Sequence, residues 1–166
     1  MRWRAAANLA LSQRGSPAGI QGFMTIATLN PLYTAVATAT HGRDGTVRSD
    51  DGTLDHKLAI PKGLGGPGGP GTNPEQLFAA GYSACFGGAL GLVARMQKSP
   101  MKGGEITARV TIGKTEQGGY GLAVELHGKL DGVSREEAQK LLEAAHQVCP
   151  YSVATRGNIE VKLIAD

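Results

Sequence analysis

Short runs of β-branched and aromatic residues, separated by turn residues, begin the part of the chain that the pattern predicts to fold. The runs cover residues 33–41, 46–49 and 54–60, and turns fall at residues 42–45 and at Asp51-Gly52. An Asp-Gly pair between two such runs is typical of a tight hairpin. The pattern therefore predicts a meander of three antiparallel strands.

A long apolar segment in the middle of the chain has the start signals of a helix. Asn73 suits the N-cap, Pro74 the first helical position and Gln76 the capping-box position. Residues 77–94 contain no charged side chain, and this uncharged segment is long enough for a membrane span. Four internal glycines and the predicted strands on both sides favour instead a central helix, buried by a sheet or by a second subunit. These glycines are Gly81, Gly87, Gly88 and Gly91.

The second half of the chain predicts a hairpin, a helix and a final strand. In order, these are strands at 106–116 and 120–130, a helix at 134–147 and a strand at 159–165. Ser134 and Glu137 form a capping box, and Cys149-Pro150 ends or restarts the helix, because a residue before proline avoids the α region. Grouped hairpins, without alternating β-α-β units, predict an α+β fold with mainly antiparallel sheets.

Composition indicates one globular domain with an N-terminal extension. Hydrophobic residues make up 41% and charged residues 19% of the 166 residues, which suits a single packed core. Residues 1–23 contain arginines and no acidic residue, which predicts a transit peptide or a misassigned start, with the domain spanning 24–166. From Met24 onward 14 basic residues balance 14 acidic ones, which argues against a nucleic-acid partner. We expect a cytoplasmic protein, or an imported one if residues 1–23 are a transit peptide.

The glycine-rich segment 63–71 resembles a nucleotide-binding loop only superficially. Residues 66–71 match G-x-G-x-x-G before a helix, but no acidic residue occurs between Glu75 and Glu105 to hold a ribose. The segment is therefore interpreted as a Gly-Pro loop. The histidines have no metal-ligand spacing and G-x-S-x-G is absent from the sequence, so we expect no metal site and no serine hydrolase chemistry. The histidines are His41, His56, His127 and His146.

The chain has two cysteines, Cys85 and Cys149. In the middle of a straight apolar helix Cys85 would be an inert core thiol, because desolvation raises a thiol pKa. If Gly81-Tyr82-Ser83 interrupts the helix, Ser83 becomes a new N-cap and the helix dipole favours a Cys85 thiolate. A structural bridge to Cys149 would contribute about 4 kcal/mol in the chain-entropy model. Spacing alone allows a redox pair equally well.

A cation beside Cys85 would turn its thiol into a nucleophile, and the turn after the first strand contains Arg43. Glu75, at the start of the central helix, could orient an arginine through a bidentate pair. Each residue also has an ordinary interpretation, as a surface arginine and as an acid that complements the helix dipole. The residues alone do not decide between these.

Three segments together closely resemble the organic hydroperoxide resistance (Ohr) family of the Ohr/OsmC superfamily. They are YTAVATATHGRDG, LDHKLAIPKGLGGPGGPGTNPEQLFAAGYSACF and HQVCPYSVATRGNIEVKL, and the likeness runs from about Leu32 to the C-terminus. The resemblance implies an OsmC-like fold, with sheets around a central apolar helix, and an intertwined homodimer. It does not cover residues 1–23.

The resemblance also implies a thiol-dependent peroxidase that reduces organic hydroperoxides to alcohols. Cys85 matches the peroxidatic cysteine, Cys149 the resolving one, Arg43 the arginine that stabilises the thiolate, and Glu75 the carboxylate that orients this arginine. Dihydrolipoamide or a lipoylated protein would be the external reductant, with no bound cofactor.

Three aromatic residues, Phe78, Phe86 and Tyr151, are expected to wall an apolar pocket that favours alkyl or fatty-acid hydroperoxides over hydrogen peroxide. Two alternatives remain at this point. One is an OsmC-type peroxidase of broader substrate range, and the other is a non-enzymatic module in which the cysteine pair binds or senses.

Overall fold

The computed structural model describes residues 28–166. The predicted extension, residues 1–23, and the predicted start at Met24 lie outside the described residues. Contacts divide the chain into two units, Met1–Thr34 and Ala35–Asp166, and the fold described below is that of the second unit. The single domain over 24–166 therefore stays a prediction.

The first three strands form the predicted antiparallel meander, in the order β1-β2-β3. Their bounds are Ala37–Thr40 for β1, Thr46–Ser49 for β2 and Asp55–Lys57 for β3. β1 and β3 are shorter than the predicted runs 33–41 and 54–60. The reason is β2, whose four residues pair with only four residues of β1. Beyond β3, Leu58 leaves the meander for a single parallel bridge to Thr72.

The central helix α1, Pro74–Met96, is continuous over 23 residues. Its N-cap is Asn73, whose side chain accepts a hydrogen bond from the Gln76 amide at 2.9 Å, as predicted. The predicted alternative of a break at Ser83 is wrong, because the Ser83 hydroxyl donates to the Ala80 carbonyl within an unbroken helix. Cys85 therefore lies in the middle of α1, where no helix N-terminus is close enough to stabilise its thiolate.

One side of α1 is buried and the other is exposed within the single chain. The buried side packs against β4 and α2, defined below, as a core helix does. The opposite side exposes residues four apart, which are Ala84, Gly88, Leu92 and Met96. In the described chain α1 is also the one helix long and apolar enough to cross a membrane. A helix buried all round, as expected from its composition, is not present in one subunit.

The second sheet has the order β4-β5-β6. Its strands are β4, Gly103–Lys114, β5, Tyr120–Asp131, and β6, Glu160–Ala165. β4 and β5 form the predicted hairpin over their whole length. β6 pairs with β5 in parallel, because two helices carry the chain back to the same end of the sheet. The sheets are thus mainly antiparallel, with one parallel pair.

Two helices, α2, Arg135–Val148, and α3, Pro150–Thr155, connect the last two strands. The capping box of Ser134 and Glu137 starts α2 as predicted. Cys149 has an extended backbone, with φ −64° and ψ 124°, so the chain leaves the helix for one residue and restarts it at Pro150. This restart puts Cys149 at the joint between α2 and α3, where its side chain is buried in the core.

Candidate active site

The two cysteines lie side by side in the structure. The sulfur of Cys149 is 3.6 Å from the sulfur of Cys85, and neither forms a disulfide. Cys149 is fully buried, whereas Cys85 is partly exposed. A disulfide needs about 2.05 Å between the sulfurs, so a shift of less than 2 Å separates this arrangement from a covalent bridge.

The environment of Cys85 keeps it protonated. Burial is the largest influence and raises the pKa of the Cys85 thiol, and the neighbouring Cys149 raises this pKa further. The backbone amide of Tyr151, in the first turn of α3, hydrogen-bonds to the Cys85 sulfur and lowers the pKa, but the net direction is upward. Cys85 is therefore a thiol near neutral pH in this arrangement.

Arg43 and Glu75 form the bidentate pair that the sequence suggested. The two terminal nitrogens of Arg43 donate to the two carboxylate oxygens of Glu75, at 2.9 and 2.7 Å. The hydrogen bonds from Arg43 hold the pKa of the Glu75 carboxyl below its usual range, and the pair raises the pKa of Arg43. Glu75 is in the first turn of α1, so a rigid element fixes the position of the arginine.

A strained turn carries Arg43. The residues 42–44 form a short 3₁₀ turn between β1 and β2, and both His41 and Gly42 have left-handed backbones, with φ 54° and 59°. Glycine adopts this conformation without the steric cost of a side chain, so Gly42 permits the turn. The turn directs the Arg43 side chain to the start of α1.

The Arg43–Glu75 pair and the cysteine pair form two separate clusters within one chain. Glu75 and Cys85 are ten residues apart on the same continuous helix, which corresponds to about 15 Å along its axis. The Cys85 pKa is perturbed by burial and, among the described residues, by Tyr151 and Cys149. Arg43 does not contribute. The expected contact between Arg43 and the Cys85 thiolate is thus not formed inside this subunit.

An open cleft of about 650 Å³ lies beside the Arg43–Glu75 pair. Phe78 contributes to its wall and stacks on Tyr151, with ring centroids 5.9 Å apart and planes inclined by 15°. Tyr151 is partly exposed and extends this aromatic surface from the cleft toward Cys85. The wall also includes Pro74, Ile112, Tyr120, Leu122 and Ile159.

The expectation for Phe86 as a pocket wall does not agree with its position. Its side chain is 0% exposed and lies in the core, in edge-to-face contact with Tyr82. Phe86 follows Cys85 directly in the helix, and adjacent helical residues point about 100° apart. The side chain of Phe86 consequently faces the core when Cys85 faces the site.

Two features of the site were not found by sequence reasoning. The buried hydroxyl of Tyr82 contacts the hydroxyls of Ser152 and Thr155, and Gly81 lies under the ring of Tyr151. The contacts join residues about 70 positions apart, and no local pattern of the sequence encodes such a pairing. Over residues 28–166, no group of three or more His, Cys, Asp and Glu side chains is arranged for a metal.

Comparisons with known proteins agree with this fold. The profile of the OsmC-like protein family matches residues 66–164. The organic hydroperoxide resistance protein of Xanthomonas axonopodis pv. citri is 56% identical over 133 residues, covering 80% of this chain and 93% of that protein.

Solved structures agree as well. The organic hydroperoxide resistance protein of Elizabethkingia anophelis superposes with a TM-score of 0.77 and 57% identity, covering 83% of this chain and 99% of that one. OhrB of Bacillus subtilis gives a TM-score of 0.75 and 48% identity, with 82% and 100% covered. With this fold, these segments and this level of identity, the chain belongs to the organic hydroperoxide resistance family of the Ohr/OsmC superfamily.

Proposed function

We propose that this protein is a thiol-dependent peroxidase that reduces organic hydroperoxides to alcohols. Relatives at 50 to 56% identity are named for organic hydroperoxide resistance, which supports a role in peroxide resistance at family level. The observation that supports a thiol-dependent mechanism is the pair of cysteines, with 3.6 Å between the sulfurs of Cys85 and Cys149. A pair at this distance suits a nucleophile and the thiol that resolves it.

The chemistry needs two steps at sulfur. The Cys85 thiolate attacks the terminal hydroxyl oxygen of the hydroperoxide, the O–O bond breaks, and the oxygen bonded to carbon takes up a proton and leaves as the alcohol. Cys85 is thereby oxidised to a sulfenic acid. The Cys149 sulfur then attacks the Cys85 sulfur, which forms the disulfide and releases the sulfenic oxygen as water. Because Cys149 is already adjacent, this second step competes well with further oxidation of Cys85.

The disulfide must accept two electrons before the next cycle. We propose that an external dithiol, dihydrolipoamide or a lipoylated protein, supplies them by thiol–disulfide exchange through a mixed disulfide. The dithiol leaves as its own cyclic disulfide, and Cys85 and Cys149 return to thiols. Partly exposed Cys85 is the sulfur that a reductant can approach, since Cys149 is fully buried. The protein then needs no bound cofactor.

Activation of Cys85 requires a cation that its own subunit does not bring to it. Burial raises the Cys85 pKa, and Arg43 is paired with Glu75 about 15 Å away along α1. We propose a homodimer in which Arg43 of the partner subunit faces Cys85, with Glu75 of the partner subunit holding that arginine. The exposed side of α1, from Ala84 to Met96, would pack in the same interface.

Subunit mixing tests whether the arginine acts across the dimer. Arg43→Ala and Cys85→Ser are each expected to be inactive as homodimers. If the arginine comes from the partner, a refolded 1:1 mixture regains about a quarter of the native activity, because half of its dimers are mixed and each mixed dimer has one complete site. If Arg43 acts on its own subunit's cysteine, the mixture stays inactive.

Turnover with defined substrates tests the function itself. Cumene hydroperoxide should be consumed rapidly with dihydrolipoamide as the reductant, and hydrogen peroxide more slowly, because most of the cleft wall is apolar. Cys85→Ser should abolish this consumption, and Cys149→Ser should stop after one turnover per site. Oxidation of Cys85 without turnover, with dithiol present, would instead indicate a redox-sensing module. Equal rates for both peroxides would indicate the broader OsmC-type range.

A further inference from the structure

A chain of buried hydroxyl groups joins α1, which contains Cys85, to α3, which directly follows Cys149. The Tyr82 hydroxyl on α1 is 2.9 Å from the Ser152 hydroxyl and 3.2 Å from the Thr155 hydroxyl, both on α3. Tyr82 and Ser152 are 0% exposed. The Thr155 hydroxyl also donates to the Tyr151 carbonyl at 2.9 Å. One assignment uses every proton: Ser152 donates to Tyr82, Tyr82 to Thr155, and Thr155 to that carbonyl.

The spacing ties this chain of hydroxyls to the thiols. Tyr82 is three residues before Cys85, and Ser152 is three residues after Cys149, so each hydroxyl lies about one helical turn from a cysteine. A buried hydroxyl is costly unless it is hydrogen-bonded, and a phenylalanine would fill the same space without that demand. The polar link is therefore a specific contact between α1 and α3 that packing does not require.

A second contact between the same helices is independent of the hydroxyls. A Cβ atom at Gly81 would lie 3.1 Å from the Tyr151 hydroxyl oxygen and 3.3 Å from its ring, so the ring rests directly on the backbone of α1. Phe78 stacks on the same ring, with the ring centroids 5.9 Å apart. Tyr151 is also the residue whose amide reaches the Cys85 sulfur. The docking of α3 on α1 thus determines what surrounds both thiols.

We propose that the Tyr82 hydroxyl is a positioning group for the resolving step. It holds α3 against α1, so that the Cys149 sulfur stays buried and 3.6 Å from the Cys85 sulfur. The proposal rests on the peroxidase function, because resolution is a step of that cycle. Without the hydroxyl, α3 opens more often, and the sulfenic acid of Cys85 waits longer for its partner.

The test variant is Tyr82→Phe, which keeps the ring and removes the hydroxyl. Two measurements report on the docking of α3 without any peroxide: amide hydrogen exchange in α3, and alkylation of Cys149 in a Cys85→Ser background. Since Cys149 is buried, its alkylation requires opening. The variant removes both hydrogen bonds of the Tyr82 hydroxyl, and even one such loss changes an opening equilibrium roughly tenfold, so both rates should rise by at least about that factor. Unchanged rates would overturn the proposal.

Two control variants separate positioning from general stability. Ser83→Ala removes a hydroxyl from the neighbouring position of α1, where it bonds only within its own helix, and both rates should stay native. Val124→Ala opens a cavity in the buried part of β5, a different element from α1 and α3, and is expected to lower global stability without accelerating Cys149 alkylation selectively. If Val124→Ala reproduces the effect of Tyr82→Phe, the hydroxyl has only a structural role.

A third measurement tests the resolving step directly. Under excess hydroperoxide, mass spectrometry counts Cys85 that became sulfinic acid against Cys85 in the disulfide. Tyr82→Phe should raise the sulfinic share several-fold while the rate of the first oxidation stays native. Ser152→Ala should act in the same direction but less, because Thr155 still bonds Tyr82. An unchanged share in both variants overturns the proposal. Accelerated alkylation in a protein without turnover would instead refute the peroxidase function and leave the α3 contact standing.

Discussion

Glu75→Gln is the sharpest perturbation of the arginine, because it changes charge and hydrogen bonding at nearly constant size. In the native pair each terminal nitrogen of Arg43 meets one carboxylate oxygen of Glu75. In the variant one oxygen remains, and the amide NH₂ takes the other place, where it faces a guanidinium donor. One hydrogen bond and the charge attraction are lost together.

The expected coupling free energy of the Arg43–Glu75 pair follows from the solvent exposure of the two side chains. Exposed ion pairs contribute roughly 0.2 to 1 kcal/mol, and hydrogen bonds to charged groups roughly 1.5 to 3 kcal/mol. The Arg43 side chain is 39% exposed and that of Glu75 12%, so solvent screens the pair from one side only. We expect a coupling free energy of about 1 kcal/mol, which is near the upper end for exposed pairs.

Urea unfolding of four proteins measures this coupling: the native chain, Glu75→Gln, Arg43→Ala and the double variant. Two single losses that sum to more than the double loss by about 1 kcal/mol would confirm the pair in solution. Turnover should fall in both single variants and no further in the double variant, because either change removes the oriented arginine. A coupling near zero would refute the pair and the orienting role of Glu75.

The same variants give a pH dependence with a definite sign. Arg43 lowers the folded-state pKa of Glu75 below the unfolded value of about 4.3. The stabilisation is therefore complete above that unfolded value and is lost as the pH falls through the lower folded value. The stability difference between native protein and Glu75→Gln should be constant from about pH 8 to 5.5 and narrow only in acid. A difference that grows in acid would contradict this assignment.

Three further variants test the cysteine environment and the pocket. Cys149→Ala should lower the Cys85 pKa, because Cys149 raises it, and the pH profile of Cys85 alkylation should move to lower pH; an unmoved profile contradicts the coupling. Phe86→Ala should cost about 3 to 5 kcal/mol in urea unfolding, since the ring is fully buried, and leave the ratio of cumene hydroperoxide to hydrogen peroxide turnover native. Phe78→Ala should lower that ratio, and a native ratio would remove Phe78 from the substrate cleft.

Local chemistry accounts for the parts of the fold that the sequence predicted. Asn73 and Ser134 begin α1 and α2 because their side chains accept from amides three residues ahead, a contact within one turn. The restart after Cys149 is equally local, because Pro150 restricts the residue before it. Each of these signals lies within a few residues, so no tertiary information is needed to find it.

The errors of sequence reasoning occur where distant contacts decide. A break at Ser83 was plausible from its neighbours, but packing against β4 and α2 keeps α1 continuous. The position of Phe86 next to Cys85 suggested a pocket wall. The rotation of about 100° between adjacent helical residues instead directs the Phe86 side chain toward the core. Tyr82 gave no signal at all, because its partner Ser152 lies 70 residues away. The residue types suggested the Arg43–Glu75 pair, but they gave no indication that the pair lies far from Cys85 within one subunit.

That distance links the reactivity of Cys85 to assembly of the protein. Within one subunit, burial keeps Cys85 a thiol, and Glu75 neutralises the charge of Arg43. A thiol in this state reacts slowly with peroxides and alkylating agents alike, because the thiolate is the nucleophile. In the proposed dimer the partner's Arg43 supplies the missing cation at the moment when the exposed side of α1 is covered. On this proposal Cys85 becomes reactive only in a folded and assembled molecule, where Cys149, 3.6 Å away, is in position for the proposed resolving step.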